Sequence, residues 1–301
     1  FHGFLLQKYF VIHNIIHSTL FFKSVRRILC DFFGVDLERC RGDNDGVYSD
    51  AHLHLVDLEA REPDFAAKIP GSDWRGAVVA HDIAEFERSE ALRGSLPPTL
   101  AGFGIHPQGL RGDTADYLGA LAANGRIAFI GEAGFDFFGD RPERVRNDEN
   151  LRAQREAFEF QLLLAEKTGL PLLVHSRKAM DILQGYAPRM RKLPSVIFHG
   201  WPGRLVDAES FLRKGVEAYF SIGTPLLRGA AHATECCAAL PADRLLAETD
   251  APWQPPRGHA WTGADAIVQV SEAIGRIRGL DPEEAGPLLR ANYQRAFGAS
   301  S

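Results

Sequence analysis

From Val47 onward the chain alternates short continuous apolar runs with longer stretches whose apolar residues recur at helical spacing. The runs are Tyr48–Leu55, Ala77–Ala80, Leu100–Gly104, Ile127–Gly131, Pro171–Val174, Ser195–Phe198, Ala218–Ile222 and Leu245–Glu248. They lie roughly 20–40 residues apart, the rhythm of strands joined through helices. Between the fourth and fifth, Asn150–Thr168 carries Leu151, Phe158, Leu162 and Ala165 among charges and stops at Gly169-Leu170-Pro171, which predicts an amphipathic helix with a glycine stop. Near the end, Asp281-Pro282-Glu283-Glu284 predicts a capped helix start with proline in the first turn. Strands that are apolar throughout, alternating with helices, belong to a parallel sheet covered by helices. Eight such units predict a closed (β/α)8 barrel, which takes about 250 residues. No Gly-x-Gly-x-x-Gly follows the first strand, which argues against dinucleotide binding.

Five of these runs end in residues that can hold a metal. The first ends in Asp50-Ala51-His52-Leu53-His54 and the fourth in Gly131-Glu132. The fifth ends in His175, the sixth in His199, and the eighth in Glu248-Thr249-Asp250. Barrel active sites lie at the carboxyl ends of the strands, so these side chains are expected to converge on one mouth. His52 and His54, two apart on a strand, point to one side and can grip one ion. Glu132 has two oxygens and can bridge two ions; His175 and His199, from neighbouring strands, can hold the second. Asp250 arrives beside the first pair, because strand eight closes against strand one. Two ions about 3.5–4 Å apart polarise a phosphoryl or carbonyl oxygen and acidify a bound water. Asp250 can then ligate the first ion and take the water's proton. A single strand-end histidine is more often a satisfied structural residue than a ligand; suitable ligands on five strand ends point to a metal centre.

Composition adds boundaries. A hydrophobic content of 45% and a charged content of 24% suit a globular protein with a sizeable core. The net charge of −5 argues against a strongly basic surface that coats nucleic acid. It leaves open a pocket in which bound cations reverse the local field. Cys30, Cys40, Cys236 and Cys237 form neither a disulfide framework nor a metal-site spacing, so reduced thiols and a cytoplasmic location are expected. The first 46 residues differ from the rest: they lack alanine and hold seven of the 20 phenylalanines. Lys8, His13, Asn14 and His17 interrupt their apolar part, so no uncharged run reaches the ~20 residues of a membrane span, and no signal-peptide pattern is clean. Residues 1–46 are expected to be an N-terminal extension outside the catalytic core, with an amphipathic surface helix as the alternative, and residues 47–301 the barrel. His2, His13 and His17 lack partners at ligand spacing. Neither a membrane role nor an obligate protein partner is expected.

In chain order the sequence reads Asp50-Ala51-His52-Leu53-His54, Gly104-Ile105-His106-Pro107, Gly131-Glu132-Ala133-Gly134-Phe135-Asp136, Leu170-Pro171-Leu172-Leu173-Val174-His175-Ser176-Arg177, Phe198-His199-Gly200 and Glu248-Thr249-Asp250-Ala251-Pro252-Trp253. From Val47 to about Phe297 this series resembles the TatD family of metal-dependent hydrolases, a branch of the amidohydrolase-like barrels. The resemblance implies two divalent ions (Mg²⁺, Mn²⁺ or Zn²⁺), with Glu132 bridging. His52, His54 and Asp250 would serve the first ion, and His175 and His199 the second. It also implies phosphodiester hydrolysis of DNA, often from the 3′ end. Gln108 stands where the family often has a second histidine, Phe135 replaces a common leucine, and Phe137-Phe138 replace frequent tyrosines. Trp261-Thr262-Gly263 replaces an Asn-Glu-Pro tripeptide, although Arg257-Gly258-His259 keeps part of the preceding loop.

Substrate contacts are expected from His106, and from Arg177 and Arg257 as bidentate phosphate donors. Asp136 is a candidate outer partner of a ligand, with a cap of the next segment as the alternative; Trp201, Trp253 and Trp261 are candidates for stacking on bases, with aromatic packing as the default. His81 has no counterpart in the family pattern. Two other functions share these features: a hydrolase of C–N or carboxyl ester bonds on the same barrel, and a metal-binding protein without turnover. Glu132, where well-known dinuclear amidohydrolases carry a lysine, disfavours the first. Asp250, as a base a pure binder would not need, disfavours the second.

Overall fold

The structure, a computed structural model, describes residues 46–109 and 114–298. The expected extension, up to residue 45, lies outside the described residues, as do Cys30 and Cys40. Eight parallel strands form one sheet in sequence order: β1 (Tyr48–Leu53), β2 (Trp74–Ala80), β3 (Thr99–Phe103), β4 (Phe129–Asp136), β5 (Leu172–Arg177), β6 (Val196–Phe198), β7 (Ala218–Ile222) and β8 (Leu245–Ala247). Each coincides with one expected apolar run. The barrel closes where Leu53 bridges Ala251, His54 N donates to Ala251 O (2.8 Å) and Asp250 N donates to His52 O (2.9 Å). Helices α1 (Leu55–Arg61), α2 (Ile83–Arg93), α3 (Thr114–Ala123), α4 (Asp148–Thr168), α5 (Met180–Met190), α6 (Leu205–Arg213) and α7 (Ala231–Ala239) follow the first seven strands. The chain ends in α8 (Ala266–Arg278) and α9 (Pro282–Phe297). This is a (β/α)8 TIM barrel.

The two expected helices form for the expected reasons. In α4 the Asn147 side chain accepts from Asn150 N at 2.8 Å, and Gly169 ends the helix in the left-handed region at φ 68°. At α9 the Glu284 carboxylate accepts from Asp281 N at 3.0 Å. Inside the barrel, Ala51, Ala77, Val79, Phe129, Leu173 and Ile197 pack in alternation along their strands. Tyr293 and Phe297 of α9 join that cluster and plug it. A larger apolar layer lies between strands and helices. Cys236 and Cys237 are buried there as free thiols. Trp201 follows the packing alternative rather than base stacking: it is 2% exposed and packs edge-on against Phe198 and Phe220. Among the described residues, no helix is long and apolar enough to cross a membrane.

One departure from the sequence reading shapes the site. The fourth strand runs on past Glu132 to Asp136, with its register against β5 shifting between Ile130 and Ala133. Continuing requires Gly134, because a Cβ there would sit 1.9 Å from the His175 carbonyl oxygen.

Candidate metal centre

The six residues expected to hold metal meet at the carboxyl end of the barrel, all at most 8% exposed. The Nε2 atoms of His52 and His54 lie 3.1 Å apart. Each is 3.4 Å from Asp250 Oδ1, and they lie 3.5 and 3.6 Å from Glu132 Oε2. On the other side of the same carboxylate, Glu132 Oε1 is 2.7 Å from His199 Nε2 and 3.3 Å from His175 Nδ1, which are 2.9 Å from each other. His199 also sits against His52, ring centroids 4.2 Å apart, and its ligand atoms group with those of His52 and Asp250 within 4.8 Å.

The surroundings hold these groups in place. Asp250 has a backbone φ of 56°, uncommon for a residue with a side chain, and Gln254 Nε2 donates to its Oδ2 at 2.7 Å. Asp136 Oδ2 faces His175 Nε2 at 3.3 Å and accepts from Gln108 Nε2, while Asp136 Oδ1 accepts from Phe138 N at 2.9 Å. Gln108 thus supports an outer partner of His175. Asp50, buried beneath His52, accepts from Thr249 N (2.9 Å) and Thr249 Oγ1 (2.6 Å), tying β1 to the end of β8. Glu248 accepts from Gly200 N at 2.6 Å, with Oε1 3.9 Å from His199 Nδ1.

Two histidines complete the wall. His106 Nδ1 accepts from Gln108 N at 3.1 Å, which leaves Nε2 as the protonated nitrogen, 3.9 Å from Glu132 Oε1. His81, at the end of β2, places Nε2 3.1 Å from Glu132 Oε2, and its backbone N donates to Glu85 at 2.7 Å. His81 was set aside in the sequence for want of a family counterpart and Glu85 was missed; the available signal was a polar residue at a strand's carboxyl end. Arg177 and Arg257 are exposed and make no ion pair with the cluster among the described residues. Arg177 instead lies over the Phe138 ring, 4.2 Å from its centroid.

The electrostatics are those of a site built for cations. Burial opposes ionisation of Glu132, yet His52, His199, His106 and His175 hold it well below the usual carboxylate range. Burial likewise opposes ionisation of Asp250, and hydrogen bonding to His52 and His54 outweighs it. Burial brings His199 down to about 4 despite the pull of Glu132. Burial also works against a charged His175, but Asp136 and Glu132 carry it up to about 9. Paired imidazole nitrogens around two ionised oxygens, all out of solvent, fit divalent cations: nitrogen and oxygen donors converge and a positive charge is needed.

Residues 49–298 match the family described as TatD related DNase. The chain is 28% identical over 231 residues to the 3′–5′ ssDNA/RNA exonuclease TatD of Citrobacter rodentium, covering 73% of this chain and 85% of that protein. It is 28% identical over 270 residues to the uncharacterized metal-dependent hydrolase TatD of Mycobacterium tuberculosis, covering 83% and 97%. The crystal structure of the TatD homologue YjjV from Escherichia coli matches with a TM-score of 0.73 at 25% identity, covering 83% of this chain and 98% of that one. With the fold, the ordered motifs and the family match in agreement, the chain belongs to the TatD family of metal-dependent hydrolases.

Proposed function

We propose that this hydrolase cuts phosphodiester bonds in DNA, working from the 3′ end, with two divalent cations (Mg²⁺, Mn²⁺ or Zn²⁺) per chain. The observation that carries the two-ion reading is the position of Glu132: its two oxygens face separate sets of imidazoles, His52, His54 and His81 on one side and His175, His199 and His106 on the other. His52, His54 and Asp250 would hold the first ion and His175 and His199 the second, with Glu132 available to both. When bound, such a pair would supply charge stabilisation at the phosphoryl oxygens and acidify a water. Asp250, fixed by Gln254 and held ionised, would accept the proton of the attacking water. His106, kept neutral by burial, offers its Nε2 proton to a phosphate oxygen. Asp136 orients His175. Arg177 and Arg257 meet phosphates farther along the strand. The name of the Citrobacter relative supports a nucleic-acid substrate.

The test is a panel of single-stranded DNA, small phosphodiesters and small amides, each assayed with Mg²⁺, Mn²⁺ and Zn²⁺ and after chelation. Chelator-sensitive release of nucleotides from the 3′ end is expected. Turnover of amides with none of phosphodiesters would move the reading to the C–N hydrolase chemistry of related barrels.

A further inference from the structure

Outside the metal centre, one exposed feature at the mouth is built rather than incidental. Phe138, two residues past β4, is 42% exposed. Among the described residues, exposed large apolar side chains are few, and of these only Phe138 has cations over its ring. The Arg177 guanidinium lies 4.2 Å from the ring centroid and Lys178 Nζ 5.1 Å. Lys178 Nζ also donates to the Phe138 carbonyl at 2.8 Å. Lys178 holds a left-handed backbone at φ 55°, a costly conformation for a residue with a side chain, at the turn out of β5. Neither cation is paired with a carboxylate among the described residues. The platform is anchored to the metal centre, because Phe138 N donates to the same Asp136 carboxylate that faces His175.

We propose that Phe138, Arg177 and Lys178 form a stacking platform for one unpaired base of a single-stranded nucleic acid, with the two cations meeting the adjoining backbone phosphate. The inference rests on the phosphodiesterase reading and assigns to these three residues a subsite for the substrate beyond the metal centre. With the guanidinium and ammonium over part of the ring, the surface of Phe138 that stays exposed is what an unpaired base would meet, and stacking of this kind tolerates any base. A paired base inside a duplex presents only its edges and cannot lie on the ring. The cations also matter for approach: the chain carries a net charge of −5 and the pocket is lined with carboxylates, so a polyanion needs local positive charge at its entrance. From Glu132 to Phe138 the chain spans at most about 20 Å at roughly 3.3 Å per residue. The platform therefore lies within a few nucleotides of the scissile bond.

The experiment measures binding of the metal-loaded full chain to a fluorescent, cleavage-resistant phosphorothioate oligonucleotide, single-stranded and as a duplex. The variants are Phe138→Leu, Phe138→Tyr, Arg177→Gln and Lys178→Gln. Phe138→Leu, which keeps apolar bulk but removes the π-face, should weaken single-strand binding about tenfold, whereas Phe138→Tyr should bind as the native chain does. Each cation removed should flatten the slope of log affinity against log salt by about 0.7. Melting temperature and metal content, measured on the same samples, show whether a variant has merely misfolded. If the native chain binds and cleaves single strands but Phe138→Leu and Phe138→Tyr bind alike, the platform is wrong and the phosphodiesterase reading stands. If the native chain neither binds nor cleaves oligonucleotides, the phosphodiesterase reading fails and the platform falls with it.

Discussion

Replacing Gln154 with leucine tests whether the barrel's seam beside the metal centre is held by a side chain standing in for a strand. β3 pairs with β4 only at Gly102–Phe129 and Phe103–Ile130 and ends at Phe103, while β4 continues to Asp136. Gln154 of α4, 1% exposed, occupies that gap: Oε1 accepts from Asp136 N at 2.9 Å and Nε2 donates to Asp136 O at 3.1 Å. Leucine fills similar space and leaves both backbone groups buried without these partners, at about 1–3 kcal/mol each. Added apolar burial recovers about 1–2 kcal/mol, leaving a net loss of about 3 kcal/mol. At about 2–4 °C per kcal/mol for a chain of this size, the melting temperature should fall by about 6–12 °C. The assay is thermal unfolding of chelated protein, followed by titration of the second ion. Affinity for that ion should also drop, because Asp136 faces His175. A melting temperature within 2 °C of the native value would refute the reasoning.

Asp250→Asn should lower turnover by on the order of 10²–10⁴-fold while the second ion stays bound, and Glu132→Gln should reduce the occupancy of both ions, checked by metal content and rate on the same samples. Deleting residues 1–46 is expected to leave folding and metal-dependent turnover largely intact, measured by melting and activity of the truncated chain. Burial pushes Glu248 up to about 8, against the pull of His52, so in chelated protein the folded state keeps this proton after the unfolded chain has lost it. Its contribution is therefore full below about pH 4 and lost as pH rises to about 8; Glu248→Gln should flatten that part of the stability profile in denaturant titrations across pH.

The barrel was legible because parallel strands buried on both faces are apolar throughout, and short runs such as Leu172-Leu173-Val174 recur eight times between helix-like stretches. The candidate site was legible because five of the same runs break off into metal-capable residues such as His175, His199 or Asp250, a recurrence that single structural histidines do not explain. What the sequence concealed were polar groups lying on apolar stripes. Gln154 and Gln161 sit among Leu151, Phe158, Leu162 and Ala165 on the barrel-facing side of α4. A periodicity argument reads them as interruptions of the core. Their role appears only with the strand ends in place: Gln161 accepts from Ile105 N at 2.8 Å and donates to Ile105 O at 3.0 Å, serving the end of β3 as Gln154 serves β4.

The same logic explains His81 and Arg177, which moved in opposite directions between sequence and structure. His81 matched no motif, yet β2 ends beside β1 and β3, so the residue following Ala80 lands on the rim that holds His54 and His106, with ring centroids 5.4 and 5.0 Å away. Its place is dictated by topology. Arg177 sits within the motif that carries His175, but two residues beyond a ligand on a strand the chain has climbed about 6–7 Å out of the pocket. At that height a guanidinium meets solvent and Phe138 rather than the ions. Depth along the strand therefore separates two sets of residues: His52, Glu132 and His175 lie within the buried cluster, while Arg177 and Phe138 lie higher, at its solvent-exposed edge.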